Sequence, residues 1–305
     1  MALPTLSFAH DNEESETDGA PEYIADTYSE DYFDQELIEP MPIEEDKPIR
    51  LATFNLRLDI ETDGFNAWPY RRGIVRSLIQ YHDFDIFGTQ EGFKHQLDQI
   101  AAKSPYSYIG VGRDDGIEAG EHSAIFYKHD RFELLNSGTF WLSETPDSVS
   151  NGWDAVKYKR ICTWGAFMEI ATGKEFYMFN VHYDHEAKEA RRQSSLLILH
   201  KIEEIAGKEA SVILTGDFNS TPNDEPIIII EQAEWLYDSY YLSQSPCYGT
   251  VGTYNDFDLK SQMDRRIDYI WVSPNITITS YATLNELPYG RFPSDHFPVL
   301  TTVEL

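Results

Sequence analysis

Cysteine is scarce: the 305 residues hold only Cys162 and Cys247, far apart in sequence. This excludes a disulfide framework and a paired-cysteine metal site, so both are expected to be ordinary buried thiols. Basic residues are also few, 24 Lys and Arg against 52 Asp and Glu, a formal net charge of -28. Such a body repels polyphosphate at long range, which argues against gripping a long duplex through many cationic contacts but leaves room for a small phosphate ester held locally. Long apolar runs are missing as well. The stretch "PIIIIEQAEWL" turns polar within a few residues, too soon to cross a bilayer. The start "MALPTLSFAHDNEESETDGA" lacks the basic and long apolar regions of a secretory signal. These absences predict a soluble, cytoplasmic protein, or an extracellular one if a signal has been removed; a monomer is expected.

What is present is a core-forming composition, with 41% hydrophobic and 14% aromatic residues. The acidic excess is uneven, since Met1 to Lys47 carries 15 acidic residues and one lysine. Residues 1–47 are therefore read as an acidic, disordered arm, and 48–305 as one catalytic-size domain. The interleaved aromatics and acids of "YIADTYSEDYFDQELIEPMP" suit docking on the body or on a protein partner, with a solvating tail as the plainer reading.

The folded part opens with "IRLATFNLRLD", a buried-strand pattern, followed by helical spacing in "YRRGIVRSLIQYHD" and a second strand through "FDIFGTQEG". Further strands are expected in "SAIFYK", "FELLNSGTFWL", "ICTWGAFMEI", "EFYMFNVHY", "SVILTGDFN", "RIDYIWVS" and "FPVLTTVEL". The segment "EARRQSSLLILHKIEEIA" has helical spacing, with Leu196, Leu197, Ile198, Ile202 and Ile205 expected to face the core. Strands and helices without strict alternation predict an α/β fold in four layers, two packed mixed β-sheets flanked by helices. The stretch "QSPCYGTVGTYNDFDLKSQMDRR" reads as a long functional loop.

Polar groups recur where apolar strands end: Asn55, Glu91, His182, Asp217 with Asn219, Asp268, and Asp295 with His296. Glu91, Asp217, Asp295, Asn55 and Asn219 offer oxygen ligands suited to Mg²⁺ or Mn²⁺. Buried together without a cation, such acids would repel one another and their pKa values would rise. Zinc is the rival, through His182, Asp184 and His185, but strand alternation turns neighbouring side chains to opposite faces and ranks it below Mg²⁺. Each residue alone has a plainer reading: Asn55 and Asn219 as turn caps, Asp268 as a partner of Arg265 or Arg266. His122, His129 and His200 have no motif context.

In chain order, "TFNLR", "GTQEG", "NVHYDH", "GDFNSTP", "IDYIWV" and "SDHFPV" resemble the motifs of the endonuclease/exonuclease/phosphatase superfamily, whose fold is DNase I-like. The resemblance covers about Pro48 to Leu305, and "GVGRDDG", "GEHSAIFYK", "SGTFWLSETPD" and "KRICTWGAF" resemble a bacterial branch of it. It implies that Asn55 and Glu91 hold the metal, with Asp295 contributing directly or through water. It implies that Asp217 orients and deprotonates the attacking water and that Asn219 binds the scissile phosphate. His296 would face the phosphate with Asp268 behind it, and His182 would donate to phosphate or leaving oxygen from the other side.

The expected activity is metal-dependent hydrolysis of a phosphodiester, in a nucleic acid, nucleotide or small molecule, by in-line water attack. A phosphoinositide or sphingomyelin-type headgroup hydrolase is the alternative, and a binding protein without turnover is a third reading. Arg113 and Arg160 are candidate substrate clamps, because guanidinium offers a fork to phosphate, with salt bridging as the counter-reading. Trp141, Trp153 and Trp164 are expected in the core rather than stacked on a base. Tyr183, where an aliphatic residue is expected after His182, and the charged "YNDFDLKSQMDRRIDY" loop leave the substrate open.

Overall fold

The computed structural model describes residues 47–305, so the arm expected over 1–47 lies outside the described residues except for Lys47. The strands are β1 (Ile49–Asn55), β2 (Ile86–Gln90), β3 (Tyr106–Ile109), β4 (Ile125–Lys128), β5 (Phe132–Trp141) and β6 (Ile161–Glu169). They continue with β7 (Glu175–His182), β8 (Val212–Asp217), β9 (Tyr237–Asp238), β10 (Asp268–Val272), β11 (Thr277–Thr283) and β12 (Val299–Glu304). The helices are α1 (Trp68–Tyr81), α2 (Lys94–Ala101), α3 (Lys188–Ile205), α4 (Glu225–Glu231) and α5 (Ser239–Leu242).

Two six-stranded sheets result, ordered β11-β12-β1-β2-β4-β3 and β5-β6-β7-β8-β10-β9. Each is mixed: β1 runs parallel to β2 and β7 parallel to β8, while the remaining pairs are antiparallel. Their inner faces meet through Leu51, Ile86, Ile125, Met178, Ile213 and Ile270. The outer face of the first sheet packs Phe54, Phe87 and Phe126 against Val75, Leu78 and Ile79 of α1 and Leu97 of α2. The outer face of the second packs Phe179, Leu214 and Trp271 against Ile198 and Ile202 of α3 and Ile227 and Ile230 of α4. This is the four-layer α/β sandwich that the strand pattern predicts. Burying each such side chain fully contributes about 1.5–3 kcal/mol. Central strands such as β8 are covered on both faces, which is why Val212, Ile213 and Leu214 form an unbroken apolar run instead of alternating with polar residues.

A buried polar bridge joins the sheets beneath the strand ends. Gln90 donates to Thr53 Oγ1 (3.0 Å) and Asn180 Oδ1 (2.7 Å), and Asn180 donates to the carbonyls of Thr89 and Ala124 at 2.9 Å each. Thr215 closes it at 3.1 Å from Asn180 Oδ1. Leaving one such donor unpaired would cost about 1–3 kcal/mol, so the bridge fixes the register between the sheets. Gly88 is required there because a Cβ on it would lie 2.3 Å from Asn180 Oδ1.

Some expectations are corrected. Leu196 is 43% exposed, and the buried face of α3 runs through Ala190, Ser194, Ser195, Ile198 and Ile202. A helix places residue 196 about 200° from residue 198, off that face, and the small side chains let α3 approach its neighbours closely. Cys247 is exposed rather than buried, because it sits in the long loop and not on a strand. Trp141 packs in the interior as expected, Trp164 is only partly buried against the outer face of the second sheet, and Trp153 covers Ala155, Ala187 and Ala190. Tyr183 fills the interior between Phe218 and Ser195. No helix among the described residues is long and apolar enough to cross a membrane.

Candidate active site

The candidate positions converge because the strands that carry them end at one edge of the sandwich. Asn55, His182 and Asp217 are the last residues of β1, β7 and β8, and Glu91 follows β2 directly. Asp268 opens the antiparallel β10, so its register partner is Asp217, which also pairs with His182 on the parallel β7. The loop before β12 brings Asp295 and His296 to the same edge, tied down where Ser294 Oγ donates to the Asn55 carbonyl at 2.7 Å. Arg71, fully buried in α1, fastens this frame by donating to the carbonyls of Leu56, Arg57 (2.7 Å), Asn66 (2.7 Å) and Pro293 (3.2 Å).

Asn55 stands at the centre, its Nδ2 donating to Glu91 Oε1 and to Asp217 Oδ2, both at 3.0 Å. Glu91 Oε2 accepts from the Leu58 N–H at 3.1 Å, and Asp217 Oδ1 accepts from the Asn219 N–H at 2.8 Å. Glu91 and Asn219 hold left-handed backbone conformations, with φ of 64° and 46°. Such conformations cost of order 1–3 kcal/mol in non-glycine residues and persist where surrounding contacts over-determine them. Asp217 Oδ2 lies 3.5 Å from His182 Nε2 and 3.8 Å from His296 Nε2, so the carboxylate sits between two imidazoles.

Those imidazoles differ in what stands behind them. His296 Nδ1 is 2.8 Å from Asp268 Oδ2. Burial alone would lower its pKa, but the Asp268 and Asp217 charges outweigh this and hold it well above the usual value. His182 Nδ1 is 3.0 Å from Arg160 Nη1. Arginine only donates, so Nδ1 accepts and Nε2 carries the proton facing Asp217. Burial first, then the Arg160 and Arg113 charges, push the His182 pKa well below its usual value. The pair is thus one cationic and one neutral imidazole, each with an N–H directed at the same space.

The acids register their mutual repulsion. Asp217 is pushed up to about 7, chiefly by burial and then by the Asp268 charge. Asp295 is pushed up to about 6, again by burial first, with the Glu91 charge adding to it. Burial acts on Glu91 in the same direction, but the His296 charge, the Asn55 hydrogen bond and the Arg57 charge together keep it below the usual carboxylate value. Donor atoms of Glu91, His182 and Asp217 fall within 4.8 Å of one another, as do those of Asp217, Asp268 and His296. A divalent cation fits this set: it is oxygen-rich, and bound charge would relieve the crowding that raises these pKa values. Asp295 lies beside it in neither donor group, its Oδ2 3.7 Å from Arg57 Nη1. The zinc alternative does not form among the described residues, because Asp184 caps the turn by accepting from the N–H groups of Glu186 (2.8 Å) and Ala187 (2.7 Å).

A cleft of about 540 Å³ opens over these groups, with Arg57, Arg113, Arg160, Tyr254 and Arg265 among its lining residues. Arg113 and Arg160 therefore reach the site, but with their forks engaged. Arg113 grips Glu121 at 2.6 and 2.7 Å. Arg160 contacts His182, His185 (2.9 Å) and Asp184 (3.4 Å). Asp268 pairs with His296 and neither neighbouring arginine, since Arg266 is taken by Asp238 at 2.6 Å and Arg265 stacks on Tyr254. Sequence reasoning did not reach Glu121, Arg57, Arg71 or Tyr254. Glu121 lies inside the noted "GEHSAIFYK" and Arg57 inside "TFNLR", and a buried acid or arginine in such a motif is the signal that was available. His122 is buried beside the cleft, not on it.

A four-layer sandwich with an oxygen-rich acidic and histidine cluster at the ends of both sheets is the architecture of a DNase I-like protein. Residues 52–296 match the model of the endonuclease/exonuclease/phosphatase family, and the chain belongs to that family. It is 42% identical to an endonuclease/exonuclease/phosphatase from Bacteroides vulgatus, with a TM-score of 0.81 over 85% of this chain and 99% of that one. It is 43% identical to a mannosyl-6-phosphatase from Bacteroides thetaiotaomicron, with a TM-score of 0.80 over 84% of this chain and all of that one. Among curated sequences, the Ccr4 subunit of the CCR4-Not complex, a 3'-5'-exoribonuclease, from Debaryomyces hansenii is 25% identical over 78% of this chain. An uncharacterised mimivirus protein is 30% identical over 50% of it. The chain spans only 36% of that Ccr4 subunit and 59% of the mimivirus protein.

Proposed function

We propose that this protein is a Mg²⁺- or Mn²⁺-dependent phosphoester hydrolase whose substrate is a small phosphorylated molecule, foremost a sugar phosphate monoester. The observation that carries the reading is the Asp217 carboxylate, held by Asn55 and Asn219 between a neutral and a cationic imidazole. In this reading Asp217 orients a water and takes its proton as the oxygen attacks phosphorus. His296, kept cationic by Asp268, donates from Nε2 to a non-bridging oxygen, and Asn219 steadies the same group. The P–O bond to the leaving group breaks opposite the attack, the neutral His182 donates a hydrogen bond from Nε2 to the departing oxygen, and that oxygen takes its proton from solvent water while Asp217 later releases the one it took. Glu91 would hold the cation, its carboxylate positioned by the Asn55 amide, with Asp295 alongside. When bound, the cation supplies charge against the phosphate oxygens.

The small-monoester preference draws on the cleft volume, the acidic surface and the 43% identity to a mannosyl-6-phosphatase. The phosphodiester reading keeps support from the likeness to Ccr4 over most of the chain. The test measures release of inorganic phosphate from mannose 6-phosphate and of p-nitrophenol from bis-p-nitrophenyl phosphate, with Mg²⁺, Mn²⁺ or a chelator. The expected outcome is metal-dependent turnover of the monoester with kcat/KM at least about tenfold above the diester. A reversed preference would favour the diesterase, and no metal-dependent turnover of either would remove the hydrolase assignment.

A further inference from the structure

Glu121 has no part in the chemistry above, yet it is a nearly buried carboxylate on the wall of the reaction cleft. Its two oxygens accept from the Arg113 fork at 2.6 and 2.7 Å, and the Arg113 backbone N–H donates to the Glu121 carbonyl at 3.0 Å. A carboxylate has room for about four hydrogen bonds, so each oxygen keeps acceptor capacity beyond the arginine. An anionic phosphate is repelled by such a group. A neutral hydroxyl is the donor it suits.

Position separates this wall from the phosphate end. His182 directs Nε2 toward Asp217 at 3.5 Å, while its Nδ1 lies 3.7 Å from Glu121 Oε2. Glu121 is therefore one imidazole ring away from the reacting centre, at the Nδ1 edge of His182 whose Nε2 faces the leaving oxygen, and both residues line the same cleft. Tyr158 flanks it, its ring packed against the guanidinium groups of Arg113 (5.5 Å) and Arg160 (5.6 Å), partly buried and lining the cleft. A rigid acceptor beside an aromatic ring matches a ligand with hydroxyls on one edge and C–H groups on its face.

We propose that Glu121, held by Arg113 and flanked by Tyr158, is the specificity-determining acceptor for hydroxyl groups on the substrate's leaving portion, so that the preferred substrates are polyhydroxylated phosphate esters. The inference rests on the phosphohydrolase reading. A site built to pair a hydroxyl discriminates strongly against analogues lacking it, because its own polar group is then left unpaired.

The test compares kcat/KM for mannose 6-phosphate with that for p-nitrophenyl phosphate, which has no hydroxyls on its leaving group. The Glu121→Gln variant is expected to lower the ratio of the two at least tenfold. Should that variant fail to fold because its amide meets the Arg113 fork donor to donor, the parent enzyme decides, assayed on single-deoxy analogues of the hexose phosphate. At least one missing hydroxyl is expected to cost tenfold or more. An unchanged ratio in a folded variant, or deoxy analogues all within twofold, would overturn the proposal. Absence of turnover of both substrates by the parent would instead defeat the hydrolase reading on which it stands.

Discussion

Replacing Asp217 by Asn is expected to lower kcat for phosphate release by about 10³-fold or more, as fits loss of a general base worth 10²–10⁴ at a site that also binds the cation. The two stability effects of the change oppose each other. Both oxygens of Asp217 accept from fixed donors, Asn219 N–H and Asn55 Nδ2, so an amide must face one of them donor to donor, at about 1–3 kcal/mol. Against this, the change removes a buried negative charge that the Asp268 and Glu91 charges disfavour. Thermal unfolding by circular dichroism should therefore show a Tm within a few degrees of the parent, while stopped assays of phosphate show the loss. Activity within tenfold of the parent would take the role of base away from Asp217.

His296→Ala is the second large effect, with kcat expected to fall about 10²–10⁴-fold because the cationic donor that Asp268 holds against the phosphate disappears. Here stability should fall too. His296 lies between Asp268 at 2.8 Å and Asp217 at 3.8 Å, and removing it leaves two buried carboxylates facing one another. Breaking a buried ion pair by deleting one partner costs about 3–5 kcal/mol. Added imidazole is expected to restore part of the activity by filling the vacated space. A variant with parental kcat, or one whose loss tracks only the unfolded fraction in a urea titration, would reduce His296 to a structural residue.

The parts of this arrangement written in adjacent residues were legible in the sequence. Strand ends show as apolar runs closing on a polar group, so Asn55, His182 and Asp217 could be placed at β-strand termini before any coordinates. That they meet at one edge depends on the strand order β12-β1-β2 and β7-β8-β10, which periodicity does not encode. The sandwich itself followed from mixed strand and helix patterns. Short elements such as β3, β9 and α2 escaped because a few residues give no clear period. The α3 face was misjudged by weighting Leu over small residues, although Ala190, Ser194 and Ser195 form the buried stripe. Asn180 and Gln90 carry the inter-sheet bridge, yet in sequence each is a lone amide inside a strand. Arg113 and Arg160 reach the cleft, but only coordinates reveal that Glu121 and His182 already engage them.

The claim on which the account depends is that the acids gathered at the strand ends hold a divalent cation through Glu91. Calorimetric titration of Mn²⁺ into the parent and into Glu91→Gln tests it without reference to any substrate. The account predicts one Mn²⁺ per chain for the parent and an affinity at least about 100-fold weaker in the variant, which loses a carboxylate ligand and not merely its support. Equal affinity in the two proteins, or no saturable binding to the parent, would contradict it.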